Sequence, residues 1–151
     1  MRGGALLALL ACGGDEAAPP PKAPSTRVLE LRPLGLRVSA PTGAVVGTAS
    51  LTAGALISGP GLASTTVIED GDHRTLDEEL FNINELSPVD VQPELLADGW
   101  LVTFRTLGPT GEGYWLEARR EIGGRALRCW TTAADATTRD TARELCLSLQ
   151  G

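Results

Sequence analysis

Apolar and polar positions alternate early in the chain. Val28, Leu29 and Leu31 lead into Leu34, Leu36 and Val38, with Gly35, Arg37 and Ser39 between them, and Pro41-Thr42-Gly43 closes the run. That period of two predicts a half-buried strand. Ala44 to Leu51 and Ser64 to Ile68 supply further strand patterns, and the Gly- and Pro-containing stretch from Gly54 to Gly61 reads as a bend or loop between them. Asp70-Gly71-Asp72 then forms a turn, and Thr75 with Glu78 has the spacing of a capping box. Leu76, Leu80 and Ile83 follow on one helical face until Ser87-Pro88 stops it.

A second group of strands begins at Asp98-Gly99. Trp100 to Leu107 places Trp100, Val102 and Phe104 on one side, so Trp100 reads as core. Tyr114 to Ile122 and Arg125 to Thr131 predict two more strands joined at Gly123-Gly124, a favoured two-residue hairpin turn. After Asp135, a candidate cap, Ala142, Leu145, Cys146 and Leu149 recur at helical spacing within Thr137 to Leu149. Strands, a helix, a three-stranded meander and a closing helix predict an α+β domain, a mainly antiparallel sheet with helices packed on one or both faces.

The strand Leu34-Gly35-Leu36-Arg37-Val38-Ser39-Ala40-Pro41, a helix, a meander containing Gly99-Trp100 and a closing helix together resemble the PsbP/Mog1-like group over roughly 110 residues. The resemblance implies a layered arrangement and a binding or assembly role rather than catalysis. It carries over no functional residue.

The first residues have a different character. A cation at Arg2 precedes an apolar stretch from Ala5 to Ala11, and Leu9-Leu10-Ala11-Cys12 resembles the lipobox of bacterial lipoprotein signal peptides. The stretch is far shorter than the roughly 20 apolar residues that span a bilayer as a helix. By that resemblance residues 1–11 are a signal peptide cleaved before Cys12, whose sulfur and new amine carry acyl chains that attach the protein to a membrane. Two or more chains hold a protein stably where one does not. An ordinary secretory signal is the alternative. Eleven residues is also brief for such a signal, so a start upstream of Met1 is a further expectation.

Residues 12–26 then read as the lipidated Cys and a tether rich in Pro, Gly and Ala, and residues 27–151 as one α+β domain without internal repeats. A Pro-rich tether extends by about 3.1 Å per residue, which places the domain up to roughly 40 Å from the lipid. Gly13 and not Asp follows Cys12, which by the resemblance to enterobacterial lipoproteins favours the outer membrane.

Without Arg2 the chain keeps twelve basic and nineteen acidic residues, a formal charge of −7. Such a surface repels nucleic acid. Arg119, Arg120, Arg125 and Arg128 form the one basic group, read either as a local patch or as strand ends paired with Glu117 and Glu121. With Cys12 assigned to lipid, Cys129 and Cys146 remain as an even pair in an oxidising compartment, and their strand and helix positions both face inward. A structural disulfide is the expectation. Two buried thiols or a redox site are the alternatives, though neither a CxxC nor a neighbouring His is present.

Catalytic signatures are absent from the sequence. His73 is the single histidine and reads as part of an exposed turn, and no nucleophile elbow, Walker loop or dinucleotide fingerprint occurs. Asp70, Asp72, Asp77, Glu78 and Glu79 lack EF-hand spacing and suit an acidic helix start better than a metal site. No cofactor is implied. Trp115 shares a face with Glu117 and Arg119, and Trp130 with Arg128, so these residues form either a recognition patch or a layer covered by a helix. The expected function is a non-catalytic envelope module that contacts another envelope protein. The alternative is a hydrolase working through carboxylates such as Asp70, Asp72 and Glu78.

Overall fold

The computed structural model describes residues 25–49 and 53–151, so the lipidation candidate Cys12 and residues 13–24 of its tether lie outside the described residues, while Thr26, the last residue assigned to the tether, opens the first strand. Nine strands and two α-helices follow in the order β1 (Thr26–Leu31), β2 (Leu36–Pro41), β3 (Val45–Thr48), β4 (Gly54–Gly59), β5 (Leu62–Glu69), α1 (Leu76–Asn84), β6 (Val89–Leu96), β7 (Gly99–Gly108), β8 (Gly111–Ile122), β9 (Arg125–Ala133) and α2 (Ala136–Leu147). Strands β3-β4-β5-β9-β8-β7-β6 make one sheet in that order, and β1 with β2 forms a separate hairpin. Every pairing is antiparallel. The broad α+β class expected from the sequence is therefore present. No described helix is long and apolar enough to cross a membrane.

The two sheet faces are covered differently. On one face Ala55, Ile57, Val67, Leu101, Leu116, Ala118, Leu127 and Cys129 are buried beneath α2 and the β1–β2 hairpin, which contribute Ala142, Leu145 and Cys146 and Leu31, Leu36, Val38 and Ala40. On the other, α1 lays Leu76, Leu80 and Ile83 on Trp100, Val102, Phe104 and Trp115. Each helix is positioned by its cap. Thr75 accepts from the Glu78 amide while Glu78 accepts from the Thr75 amide, the reciprocal box read from the sequence, and Asp135 accepts from the Thr138 amide at the start of α2. Three acids in the first turn of α1 also face the positive end of its dipole.

The chain turns more often than the sequence pattern suggests. The expected single strand from Val28 to Val38 is two strands, because Pro33 starts a 3-10 turn at Arg32–Leu34 and Gly35 takes the left-handed conformation at φ 62°. The Gly54 to Gly61 region is not a bend: Gly54–Gly59 is strand β4, with Ala55 and Ile57 fully buried. Its first glycine serves close packing, since a Cβ on Gly54 would lie 2.5 Å from Ile68 Cγ2. Strand β6 was not expected at all. The last helix ends at Leu147, two residues before the predicted Leu149, which is nevertheless buried. By contrast, Gly123 and Gly124, at φ 61° and 75°, make the anticipated β8–β9 turn.

The C-terminus is sewn to the hairpin. Arg37 and Gln150 exchange backbone hydrogen bonds of 2.9 and 3.0 Å, and the Ser39 amide donates to Ser148 Oγ at 2.8 Å. At the sheet edge, β6 breaks register between Val89 and Gln92, holds Asp90 at φ 54°, and contains Pro93.

Candidate functional site

Antiparallel register gathers the polar side chains beneath and beside α1. Trp100 pairs with Arg119, Val102 with Glu117 and Phe104 with Trp115 across β7 and β8. Arg119 pairs with Arg128 and Glu117 with Trp130 across β8 and β9. Alternation keeps all of these on one face. Trp115, Trp130, Arg119 and Arg128, the residues singled out from the sequence, therefore share a face, but their environments differ.

Trp115 stacks on Phe104, with ring centroids 5.6 Å apart and planes within 5°, and its indole N–H donates to Thr106 Oγ1 at 2.9 Å. It belongs largely to the small core under α1. Arg119 is 7% exposed and is pinned by Asp70 at 3.1 Å, by Asp72 at 3.5 Å and by the Asp72 carbonyl. Its Nε lacks a partner. Trp130 is half-buried, and the Arg128 guanidinium lies 4.4 Å from its ring centroid while gripping Glu117 with two N–H groups. Of the two expectations, a recognition patch or a covered layer, the cover is partial: α1 sits over Trp115, while Trp130 stays half-exposed beside it.

Two hollows flank this layer. The larger, about 570 Å³, opens at the end of the sheet between the Asp72-His73-Arg74 loop, Asp98-Gly99 and the β8–β9 turn. Trp100 forms part of its wall, its indole donating to the Arg74 carbonyl at 3.0 Å, and exposed His73 sits at its rim. The smaller, about 270 Å³, runs between α1 and strands β8 and β9, walled by Ile83, Leu86, Phe104, Trp115 and Trp130. Glu79, Glu85, Glu117 and Arg128 supply its charges.

The acids proposed for hydrolysis are already engaged. Burial tends to raise Asp70, but the Asp72 amide and the Arg119 guanidinium outweigh it and hold the carboxyl below its ordinary value. Glu78 is lowered by the Thr75 amide and hydroxyl in the capping box. Asp72 bonds Arg74 at 3.0 Å. Among the described residues, no three His, Cys, Asp or Glu side chains converge as a metal ligand set.

Each of the four arginines grouped from the sequence meets a different carboxylate: Arg119 takes Asp70, Arg120 Asp98, Arg125 Glu69 and Arg128 Glu117. The expected pairing with Glu117 occurs and that with Glu121 does not, because Glu121 lies on the exposed side of its strand end while Asp98 approaches from the β6–β7 turn and Glu69 from β5. Cys129 and Cys146 stand at disulfide distance, their Cα atoms 5.9 Å apart, joining β9 to α2 within the larger core.

Sequence reasoning missed the two buried carboxylates, Glu79 and Glu117. A signal existed for the first, since Leu76, Glu79, Leu80 and Ile83 occupy i, i+3, i+4 and i+7, which puts Glu79 on the buried stripe of α1. Arg74 reaches it at 2.9 Å. For Glu117, burial outweighs the Arg128 bonds, neighbouring Glu79 adds repulsion, and the carboxyl is pushed above its usual value of 4.5.

A native carboxyl with a raised pKa binds a proton that the unfolded chain has already released. This group therefore contributes stability that fades as pH rises above about 4.5 through the native value. Glu117→Gln is expected to flatten that decline in a pH series of urea melts. Parallel wild-type and variant curves between pH 4 and pH 8 would contradict the assignment.

No protein-family model matches this sequence, and no curated protein matches it either.

Proposed function

We propose that this chain is a lipid-anchored, non-catalytic binding or assembly module of a bacterial cell envelope, with a PsbP/Mog1-like layering of α1, sheet, and α2 with its hairpin. The observation that carries the binding role is the uneven cover of the α1 face. Trp130 and Arg128 remain half-exposed there at the margin of α1, beside Leu56 and Thr66 on strands that contribute nothing to the small core under that helix. Half-exposed aromatic and Arg side chains on a rigid sheet suit protein recognition. The address rests on Leu9-Leu10-Ala11-Cys12 alone. The acidic charge supports a protein partner over nucleic acid, and Gly13 supports the outer membrane.

One feature favours the hydrolase reading: a carboxyl with raised pKa, Glu117, facing a hollow near Glu79. Both carboxylates are gripped by arginines, Arg128 and Arg74, an arrangement that suits ion pairing better than proton transfer.

Two measurements test the proposal. Cys12→Ala is expected to move the protein from membrane to soluble fractions, with globomycin causing precursor to accumulate; unchanged fractionation in both would reject the anchor. A photo-crosslinking residue at Thr66 is expected to capture an envelope protein in living cells, and Trp130→Ala to abolish the adduct. A crosslink that survives Trp130→Ala would remove this face from the binding role.

A further inference from the structure

We propose that the groove between α1 and strands β8 and β9 receives a lysine or arginine side chain from a partner protein, a reading that specifies the ligand chemistry of the binding face proposed above. The charge balance of the lining points this way. Three carboxylates, Glu79, Glu85 and Glu117, face it, against Arg128 in its wall and Arg74, which holds Glu79 from outside it. Helix α1 adds Asp77 and Glu78 and carries no basic residue of its own.

The apolar walls fit the same ligand. Phe104, Trp115 and Leu86 line the groove together with half-exposed Trp130. A long cationic side chain is apolar along its stem and charged at its end, so it buries methylenes against such walls while its head meets carboxylate and aromatic faces. Arg128 displays this chemistry within the molecule itself, stacked 4.4 Å from the Trp130 ring centroid and forked on Glu117. Arg128 and Arg74 answer Glu117 and Glu79, which leaves exposed Glu85 without an ion-pair partner among the described residues, and the volume of about 270 Å³ leaves room for a second side chain. The mouth is apolar too, with Leu86 49% exposed. A second copy of this chain suits the site less well, because its own α1 would bring acid against acid.

The test is a titration of the folded, nitrogen-labelled protein, following the three indole N–H signals. The ligand is a blocked glycine pentapeptide with lysine at its centre, and the same peptide with norleucine is the uncharged comparison. The lysine peptide is expected to shift Trp115 and Trp130 saturably, with Trp100 as the internal reference, and to bind at least about tenfold more tightly than the norleucine peptide. Glu117→Gln is expected to weaken binding by a similar factor. Leu86→Arg, a surface change that places a cation at the mouth, gives the same loss without disturbing the buried pair.

Equal response to the two peptides overturns the proposal, as does unchanged affinity in a folded Leu86→Arg protein. Free butylammonium binding as tightly as the peptide would make the ligand a small amine and overturn the protein-partner reading. Failure here together with a Trp130-dependent crosslink from Thr66 would sink the cation and leave the binding face standing; loss of that crosslink would sink the face itself.

Discussion

Replacing Cys129 and Cys146 together by alanine is expected to lower the unfolding free energy by about 3 kcal/mol, the loss predicted for opening a loop of this size in the unfolded chain. The bridged positions are 17 residues apart, and they fasten α2 to β9 where both are fully buried. Loop closure accounts for most of the effect. The vacated sulfur volume adds to it, because Leu127, Leu145 and Ala142 pack in the same cluster and collapse only in part. The measurement is a urea melt of oxidised wild type against the double variant, with reduced wild type as a third sample. Oxidised and reduced wild type sharing one midpoint, or recovery of two free thiols from native material, would defeat the claim.

Arg120→Met is expected to cost about 3 kcal/mol, the lower end of the range for breaking a buried ion pair, because Asp98 keeps some contact with water. Arg120 is an unusually busy side chain. Its Nε and one terminal nitrogen donate to the Asp98 carboxylate at 2.7 and 2.6 Å, and its other terminal nitrogen donates to the carbonyls of Cys146 and Leu147 at 3.0 and 2.8 Å. Those carbonyls end α2, where the Cys146 oxygen otherwise takes a long bond, 3.5 Å, from the Leu149 amide. A cation at that end also meets the negative pole of the helix dipole.

Methionine keeps the stem and removes every donor. Asp98 and two carbonyls then lose this donor at once, which is why the expected loss exceeds that of a surface pair. Adding Asp98→Asn should return part of it. A single variant within about 0.5 kcal/mol of wild type, the range of ordinary surface changes, would show that water replaces the guanidinium freely.

Neither effect was fully legible in the sequence. The inward-facing cysteines could be read, because alternation on β9 and the helical stripe of α2 each set one sulfur toward the interior, as found. The β8–β9 turn and the start of α1 were legible for a similar reason: two adjacent glycines and a capping box are local instructions, complete within a few residues. Arg120 carries no such instruction. Its partners come from the β6–β7 turn and from α2, and only the assembled fold brings them together.

The same distinction explains the missed strands. Gly54 and Gly59 looked like chain reversals, yet they stand where neighbouring backbone and side chains approach too closely for a Cβ. The alternation of Ala55 and Ile57 between them was the better guide. Strand β6 reads Val-Asp-Val-Gln-Pro-Glu-Leu-Leu, and its burial is slight because it lies at the edge, so hydrophobic pattern says little there. In the candidate site the faces of Trp115 and Trp130 followed from alternation, whereas Arg119 being buried under two aspartates depended on a loop whose path the sequence does not dictate.

The broken register, the positive φ of Asp90 and the imino nitrogen of Pro93 have a consequence for neighbouring chains. An uninterrupted outer strand offers a ladder to any neighbour. On β6 a visiting strand meets a kink at Asp90 and a missing donor at Pro93, so zippering stalls within a few residues. At the opposite margin β3 spans only Val45–Thr48. Both flanks are therefore poor templates for the addition of a further strand.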